Sequence, residues 1–436
     1  MYKQSFYNIW INNILYNSLS DKLICFNDNE LESVKYFLDN LSEFQLDYPK
    51  LFDDFIKLGF ICNADFDEID FLMFQNKRAV FLDKNYRLTI NPTLECNYSC
   101  WYCCVEDAGT KYERRRMDDK TIRNVKKHIQ YMLEKEHINL LNLDWFGGEP
   151  LMYFDEVVYP ISIYGMKLCQ KNEVLFFNNI TTNAYYINEN MIKLFNKIKL
   201  NSFQIPIDGG EKKHNLVKNT NGVGHYKKIM NNINSLCEKI EGCHIILRIN
   251  YDLQTLKTVS EVIGDIKEEN KDKIVVDFQR VWQVPYNKDE SGNNQLLLDT
   301  KKLFEKSGFK TRYFAYSPKK YTCCYADNYY HRAINYDGKV YKCTARDYSD
   351  DLVLGTLNND GTIQFNYELL CKMFGDATFR NDKCMTCKKL PLCFGPCIQK
   401  YYEIKIGKKP FQCLYEHAEI SLEEYIQQRA QTIVNT

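Results

Sequence analysis

The 436-residue chain has no run of about 18 apolar residues, the length a membrane helix needs, so no membrane span is predicted. It has no excess of either charge sign. Its 57 Lys and Arg balance 57 Asp and Glu, which removes the electrostatic case for nucleic acid or an acidic membrane surface as a partner. It has no convincing signal peptide, because MYKQSFYNIWINNILYNSL lacks a basic segment and is broken by asparagines. Cysteine, by contrast, is abundant. Eighteen cysteines without an export signal predict a reducing, cytoplasmic setting and metal ligation in place of disulfides. At this length two or three domains are expected, and a hydrophobic content of 45% supports real cores.

Cys96, Cys100 and Cys103 stand at C-x3-C-x2-C in CNYSCWYC, just after the predicted strand Tyr86–Asn91. Three thiolates on one short loop can hold three irons of a cubane cluster. The fourth iron then lacks a protein ligand and can bind a substrate or cofactor directly. Zinc is the rival reading, but it prefers two C-x-x-C pairs, and only one is local here. Farther on comes Trp145-Phe146-Gly147-Gly148-Glu149-Pro150, after the apolar stretch Leu140–Leu143. Two glycines let the backbone pass close to a ligand, and the carboxylate behind them can accept hydrogen bonds from an ammonium group. Alone, this segment is equally a turn.

Together the two segments resemble the radical S-adenosylmethionine (SAM) superfamily. The resemblance implies a [4Fe-4S] cluster on Cys96, Cys100 and Cys103 with SAM on its open iron. Gly147, Gly148 and Glu149 would hold the methionine amino group, Pro150 would complete that cofactor-binding turn, and Tyr102 matches the aromatic before the third cysteine. Thr182 and Asn183 follow the third strand in Thr181-Thr182-Asn183-Ala184, where relatives often carry Thr-Asn-Gly. Asp208 follows the fourth strand in Ile207-Asp208-Gly209; relatives often have Ser two residues earlier, and this chain has Pro206. Arg248 and Asn250 resemble a common SAM-pocket position. For each of these residues ordinary strand-end capping is the alternative.

Residues 86–285 alternate strand-like runs with amphipathic helical stretches. The predicted strands are Tyr86–Asn91, Leu140–Trp145, Val174–Thr181, Ser202–Ile207, His244–Asn250 and Lys273–Arg280. The predicted helices are Asp118–Glu136, Asp155–Gln170, Asn188–Lys197, Gly224–Ile240 and Thr255–Glu268, with a shorter one at Asp299–Lys306. Six βα units predict an α/β fold with a parallel sheet and right-handed crossovers. Both motifs fall at C-terminal strand ends, where such folds place their chemistry. Pattern alone does not separate an open barrel from a doubly wound sheet; the resemblance points to a partial (β/α)6 barrel.

Residues 1–85 read as a separate unit. Asn27–Leu41 is a predicted helix with Asn27 and Glu30 as a capping box, and Pro49 opens a second, Pro49–Leu58. Short β-like pieces such as Leu23–Phe26 and Gly59–Cys62 flank them. The unit resembles the small winged-helix-like leader-recognition elements fused to many peptide-modifying radical SAM enzymes, which commonly bind a peptide as an added strand. A plain N-terminal extension is the alternative.

Residues 286–436 hold the remaining cysteine pattern: Cys324, Gly338 and Cys343, then Cys384-x2-Cys387-x5-Cys393-x3-Cys397, then Cys413. A hairpin turn at Tyr336-Asp337-Gly338-Lys339 is expected to bring Cys324 and Cys343 onto neighbouring strands. The block Cys384–Cys397 reads as nearly all loop, with Pro391, Gly395 and Pro396 as breakers. The spacing resembles the SPASM domain of radical SAM peptide and protein maturases, which implies two auxiliary [4Fe-4S] clusters. By that analogy Cys384, Cys387, Cys393 and Cys413 hold one, and Cys397 joins Cys324 and Cys343 at the other. The fourth ligand of the latter is either Cys323 or an open iron position. Cys104 and the other cysteines read as ordinary thiols.

The resemblance implies reductive cleavage of SAM to a 5′-deoxyadenosyl radical, which removes a hydrogen atom from an unactivated carbon. An external electron donor such as flavodoxin or ferredoxin would supply the electron. Three classes compete: a maturase of a ribosomally made precursor peptide, the favoured reading; a sulfatase-maturating enzyme; and a non-catalytic metal-binding scaffold. Sulfatase maturases typically carry Asp directly after the cysteine equivalent to Cys343. Here that residue is Thr344, with Asp347 the nearest substitute base. Asp208, Arg248, Asp347 and Tyr325 are further polar or redox-capable candidates, while His214 and His331 read as surface residues.

Overall fold

The computed structural model describes residues 1–105, 116–284, 291–313, 316, 321–346, 348–375, 379, 381–411, 413, 415–416 and 418–434, with backbone alone for 291–293 and 432–434. Asp347 lies outside them. Two compact units form. One gathers Met1–Asp83, Ala315–Tyr329 and Cys371–Thr436, the other Lys84–Phe314 and Tyr330–Leu370.

The first unit begins with β1 (Tyr2–Gln4), β2 (Asn8–Ile11), β3 (Ile14–Asn17) and β4 (Lys22–Cys25). Then come α1 (Asp28–Asp39), α2 (Leu41–Asp47), α3 (Pro49–Lys57), β5 (Ile61–Asn63) and α4 (Glu68–Phe81). Strands β2, β3 and β4 form an antiparallel meander, and β1 pairs with β5. The capping box is present: the Glu30 N–H donates to Asn27 Oδ1 at 3.0 Å, and Glu30 Oε2 accepts the Asn27 N–H at 3.2 Å. Pro49 opens α3. Phe44, Phe52, Phe55 and Phe60 are buried together, Phe44 meeting Phe52 and Phe55 edge-on. Helix α4 escapes a periodicity reading because Phe71-Leu72-Met73-Phe74 is a continuous apolar run, which strands also show.

The second unit carries β6 (Asn85–Ile90), α5 (Asp119–Glu134), β7 (Leu140–Trp145), α6 (Tyr159–Lys171), β8 (Leu175–Thr181), α7 (Glu189–Lys197) and β9 (Leu200–Ile207). It continues through α8 (Glu211–Val217), a two-stranded ribbon of β10 (Asn219–Thr220) and β11 (Val223–Gly224), α9 (Tyr226–Lys239) and β12 (His244–Tyr251). Next come α10 (Leu253–Thr258), α11 (Glu261–Asp265), β13 (Ile274–Arg280), α12 (Ser291–Lys306) and β14 (Lys310–Tyr313), then β15 (His331–Ile334), β16 (Lys339–Tyr341), β17 (Gly355–Leu357) and β18 (Ile363–Phe365). The sheet order is β14-β13-β12-β9-β8-β7-β6-β15-β16-β17-β18, parallel from β14 through β15.

All six predicted strands are present, and β14 adds a seventh. The single helix expected over Thr255–Glu268 is broken into α10, α11 and a 3-10 turn. The alternation along the strands explains the sheet. Leu141, Leu143 and Trp145 of β7 are buried, whereas Asn142 and Asp144 line the opposite face. Arg87, Asp144 and Asn179 interact across three strands on that polar face, and Arg312 pairs with Asp277 at 2.9 Å.

The hairpin at Gly338 forms, with β15 antiparallel to β16 and Gly338 at φ +80°. Cys324 is not on a strand of it; it caps a 3-10 turn, Tyr325–Asp327, and Cys343 lies beyond the end of β16. The block Cys384–Cys397 is more helical than expected. Short helices α13 (Asp382–Met385) and α14 (Leu390–Cys393) are followed by α15 (Ile398–Lys405), because turns this short survive beside Pro391 at a first-turn position. Among the described residues no helix is long and apolar enough to cross a membrane.

Candidate functional site

In the second unit the loop leaving β6 carries Cys96, Cys100 and Cys103. The Tyr98 N–H donates to Cys96 Sγ at 3.4 Å, and the Cys103 N–H to the Cys100 carbonyl at 3.0 Å. The Gly147-Gly148 turn leaving β7 lies directly on this loop. The Gly148 N–H donates to the Thr93 carbonyl at 3.0 Å, and the Glu149 N–H to the Glu95 carbonyl at 2.7 Å. A Cβ on Gly147 would stand 2.3 Å from the Thr93 carbonyl oxygen, and one on Gly148 1.9 Å from that of Glu95. The glycines are therefore required by contact between two protein loops, a closer constraint than the approach of a ligand.

Glu149 is 1% exposed and accepts three hydrogen bonds: from Thr182 Oγ1 at 2.7 Å, the Asn183 N–H at 2.8 Å and the Leu151 N–H at 3.0 Å. A carboxylate offers about four acceptor positions, so one is left for a further donor. Burial pushes its pKa up to about 7 against those bonds. Pro150 opens the short helical turn that follows. Asn183 donates to Asn97 Oδ1 at 2.7 Å and reaches Cys96 Sγ at 3.8 Å. Ala184, standing where relatives often have glycine, takes φ +62°. Thus Cys96, Gly147, Gly148, Glu149, Thr182 and Asn183 are brought together.

A second group surrounds Cys100. The Tyr102 hydroxyl donates to Asp208 Oδ1 at 2.5 Å, and Lys218 Nζ contacts Asp208 Oδ2 at 2.5 Å and Tyr102 Oη at 2.6 Å. Asn250 donates to the same hydroxyl at 3.2 Å. Lys218 is 3% exposed. Burial alone would push its pKa down, but Asp208, Tyr102 and Cys100 outweigh it and hold the ammonium protonated. Burial pushes the Cys100 thiol up, with Lys218 opposing. Sequence reasoning missed Lys218. It belongs to no spacing motif, and the only signal was a lysine one short helix beyond the Ile207-Asp208-Gly209 strand end. Arg248 donates from Nε to Asn250 Oδ1 at 3.0 Å, beside Asp277 on the next strand.

Cys104, read as an ordinary thiol, is pushed up to about 11 by burial first and then by Cys103 and Cys343, so it feels both cysteines. His214 and His331 are not surface residues; both are buried. His214 Nδ1 accepts the Asp208 N–H at 3.3 Å, and His331 lies on β15 between two strands.

In the first unit, burial raises Cys384 to about 11 and Cys393 to about 12, and Cys387 and Cys413 add to both. These four thiols are neighbours. Cys324 and Cys397 share a thiol–thiol hydrogen bond. Asp327, also missed, clamps their segments: Oδ2 accepts the Cys323 and Cys324 N–H groups at 2.8 and 3.0 Å, and Oδ1 the Ile398 N–H at 2.9 Å. Cys323 is partly buried against the apolar cluster of Tyr7, Cys384 and Phe394. Among the described residues no three His, Cys, Asp or Glu side chains gather around a single ion-sized centre.

Residues 90–263 match the Radical SAM superfamily model. No curated protein sequence matches the chain. Among solved structures, polyhistidine-tagged anSMEcpe with bound AdoMet shares 19% identity at a TM-score of 0.58, covering 80% of this chain and 95% of that one. Native anSMEcpe with bound AdoMet and Cp18Cys peptide shares 20% at 0.55, covering 80% and 98%. Streptococcus suis SuiB bound to precursor peptide SuiA shares 16% at 0.54, covering 94% and 98%. At these identities the likeness is one of fold.

Proposed function

We propose that the chain, whose residues 90–263 match the Radical SAM superfamily model, is a cytoplasmic enzyme that oxidatively modifies a side chain of a ribosomally made precursor peptide, giving a cross-link or thioether. One observation carries the choice of substrate. The likeness to the structure bound to a precursor peptide extends over 94% of this chain, whereas the likeness to the anSMEcpe structures covers 80%. Thr344, where sulfatase maturases typically have Asp, supports the same choice.

The residues fit the groups this reading requires. Three thiols on one loop suit a [4Fe-4S] cluster with one uncommitted iron. Glu149, with an acceptor position to spare, suits the ammonium of SAM. Bound together, cluster and SAM supply a 5′-deoxyadenosyl radical after one electron arrives from a flavodoxin- or ferredoxin-like donor. The chain's own residues prepare the place. Gly147 and Gly148 seat the Glu149 turn on the cysteine loop. Asp208 and Lys218 fix the Tyr102 hydroxyl beside Cys100, and Asn183 bridges to Cys96. In the first unit Cys384, Cys387, Cys393 and Cys413 suit one auxiliary cluster, and Cys324 with Cys397 suit part of a second. The fourth ligand of that second cluster is Cys323 or an open iron position.

The test is anaerobic incubation of the reconstituted enzyme with SAM, a reductant and candidate precursor peptides, drawn first from any small open reading frame beside its gene. Formation of 5′-deoxyadenosine with loss of two hydrogens from the peptide is expected. Formylglycine on a sulfatase peptide, with the precursor peptide untouched, would overturn the substrate assignment. No 5′-deoxyadenosine from any substrate would leave only a metal-binding scaffold.

A further inference from the structure

Tyr7, near the start of the chain, is fully buried in the first unit, in an apolar cluster with Leu72, Cys384, Leu390 and Phe394. Its ring is held in place by its neighbours. The Tyr7 N–H donates to Ser5 Oγ at 3.2 Å, and its carbonyl accepts the Ser18 N–H at 3.1 Å. Ser18 Oγ donates to the Lys388 carbonyl at 2.5 Å, and Lys388 Nζ donates to the Asn8 carbonyl at 2.8 Å. The backbone on either side of Tyr7 is thereby fastened to the residue that follows Cys387. Yet the phenol oxygen, alone among these polar groups, is buried with no hydrogen-bond partner. The nearby carboxylate of Glu68 accepts from Ser5 Oγ on one oxygen and from the Phe6 N–H on the other, and makes no hydrogen bond with the phenol.

A buried hydroxyl is seldom left unsatisfied. The Tyr7 ring shares its buried cluster with Cys384 of the cysteine block, and after Glu68 the Cys387 thiol is the group that bears most on the phenol. Thiolates and sulfides of an iron–sulfur cluster are hydrogen-bond acceptors, and donors to them set reduction potential. We infer that the Tyr7 hydroxyl donates a hydrogen bond to a sulfur of the auxiliary cluster held by Cys384, Cys387, Cys393 and Cys413. This rests on the auxiliary-cluster reading above. A donor stabilises the more negative, reduced cluster, so Tyr7 raises that cluster's potential. The N-terminal segment thus acts as a tuning element for the redox centre, whatever else it binds.

The experiment is an EPR-monitored redox titration of the full-length, anaerobically reconstituted protein, following the signal that Cys387→Ala abolishes. Wild type is compared with Tyr7→Phe and with Tyr16→Phe. Tyr16 is equally buried, but its hydroxyl donates to Asp21 at 2.9 Å. Tyr7→Phe is expected to keep its iron and shift the midpoint potential of that signal downward, while Tyr16→Phe leaves it in place. In wild type, transfer to D2O is expected to shift the iron–sulfur stretching bands in resonance Raman spectra, and in Tyr7→Phe this shift is smaller, reduced to the part owed to the Lys389 and Gly395 N–H groups that donate to Cys387 and Cys393. An unchanged potential at full iron content overturns the inference and leaves the cluster reading standing. Iron content unaffected by Cys387→Ala removes the cluster, and the inference with it.

Discussion

The two cysteine-rich regions are built from opposite surroundings. The Cys96–Cys103 loop is ringed by polar side chains: Glu149, Asn183, Asp208 and Lys218 each engage it or its neighbours. The Cys384–Cys413 region rests on Tyr7, Leu72, Leu390, Phe394 and Phe411. Buried polar groups are costly unless matched, and they lend a site direction and sign; apolar packing excludes water and takes no account of charge. The first region is therefore suited to a charged ligand, the second to a group held by thiols against an apolar wall.

The sharpest break in this contrast is Cys100→Ala. It should abolish 5′-deoxyadenosine formation and lower reconstituted iron by about four atoms of roughly twelve; retained SAM cleavage would sink the radical-cluster assignment. Cys387→Ala should remove a similar amount of iron yet spare uncoupled SAM cleavage while stopping peptide modification. Full product from that variant would make the apolar region dispensable. Lys218→Met leaves Asp208 buried and unpaired, for a loss of about 3–5 kcal/mol in chemical denaturation. Adding Asp208→Asn should restore much of it, and no recovery in the double variant would show that the two do not act as a pair.

A smaller effect concerns pH. Burial raises the Glu149 pKa to about 7. Its stabilising share is the neutral form, complete below the ordinary carboxyl range and lost as pH rises through about 7. An ammonium ligand favours the ionised form, so SAM should bind more tightly as pH rises through neutrality. Glu149→Gln should flatten that dependence in equilibrium dialysis, and an equally steep profile in the variant would assign it to another group. The smallest expected change is Asn27→Ala, which removes the cap of α1 at about 1 kcal/mol, read as a lowered midpoint in urea.

Much of the sheet was legible because most of its strands alternate buried apolar residues with polar ones. Leu141 and Leu143 alternating with Asn142 and Asp144 leave little choice of element or of face. The motif cysteines and Glu149 were legible by spacing. Lys218 and Asp327 were not, since each acts through a partner distant in sequence, and spacing encodes only neighbours. β14 was passed over because Lys310-Thr311-Arg312-Tyr313 has no apolar alternation. Strands β4 and β5 were legible as the β-like pieces Leu23–Phe26 and Gly59–Cys62, whereas β2 and β3 were obscured by the asparagines at their ends and between them. His214 misled for a similar reason: three polar residues precede it on α8, and only the fold turns its ring against Asp208.

The first unit is assembled from the two ends of the chain. Ser18 meets Lys388 across 370 positions, and Arg429 meets Asp21 across 408. At translation rates of roughly 5–20 residues per second, the emerging N-terminal segment waits on the order of tens of seconds for its partner. During that interval the faces of Tyr7 and Leu72 that later meet Cys384, Leu390 and Phe394 have nothing to cover them. The segment is thus exposed to chaperones and proteases for most of its synthesis, and any transcript truncated before residue 371 yields a chain that can never close this unit.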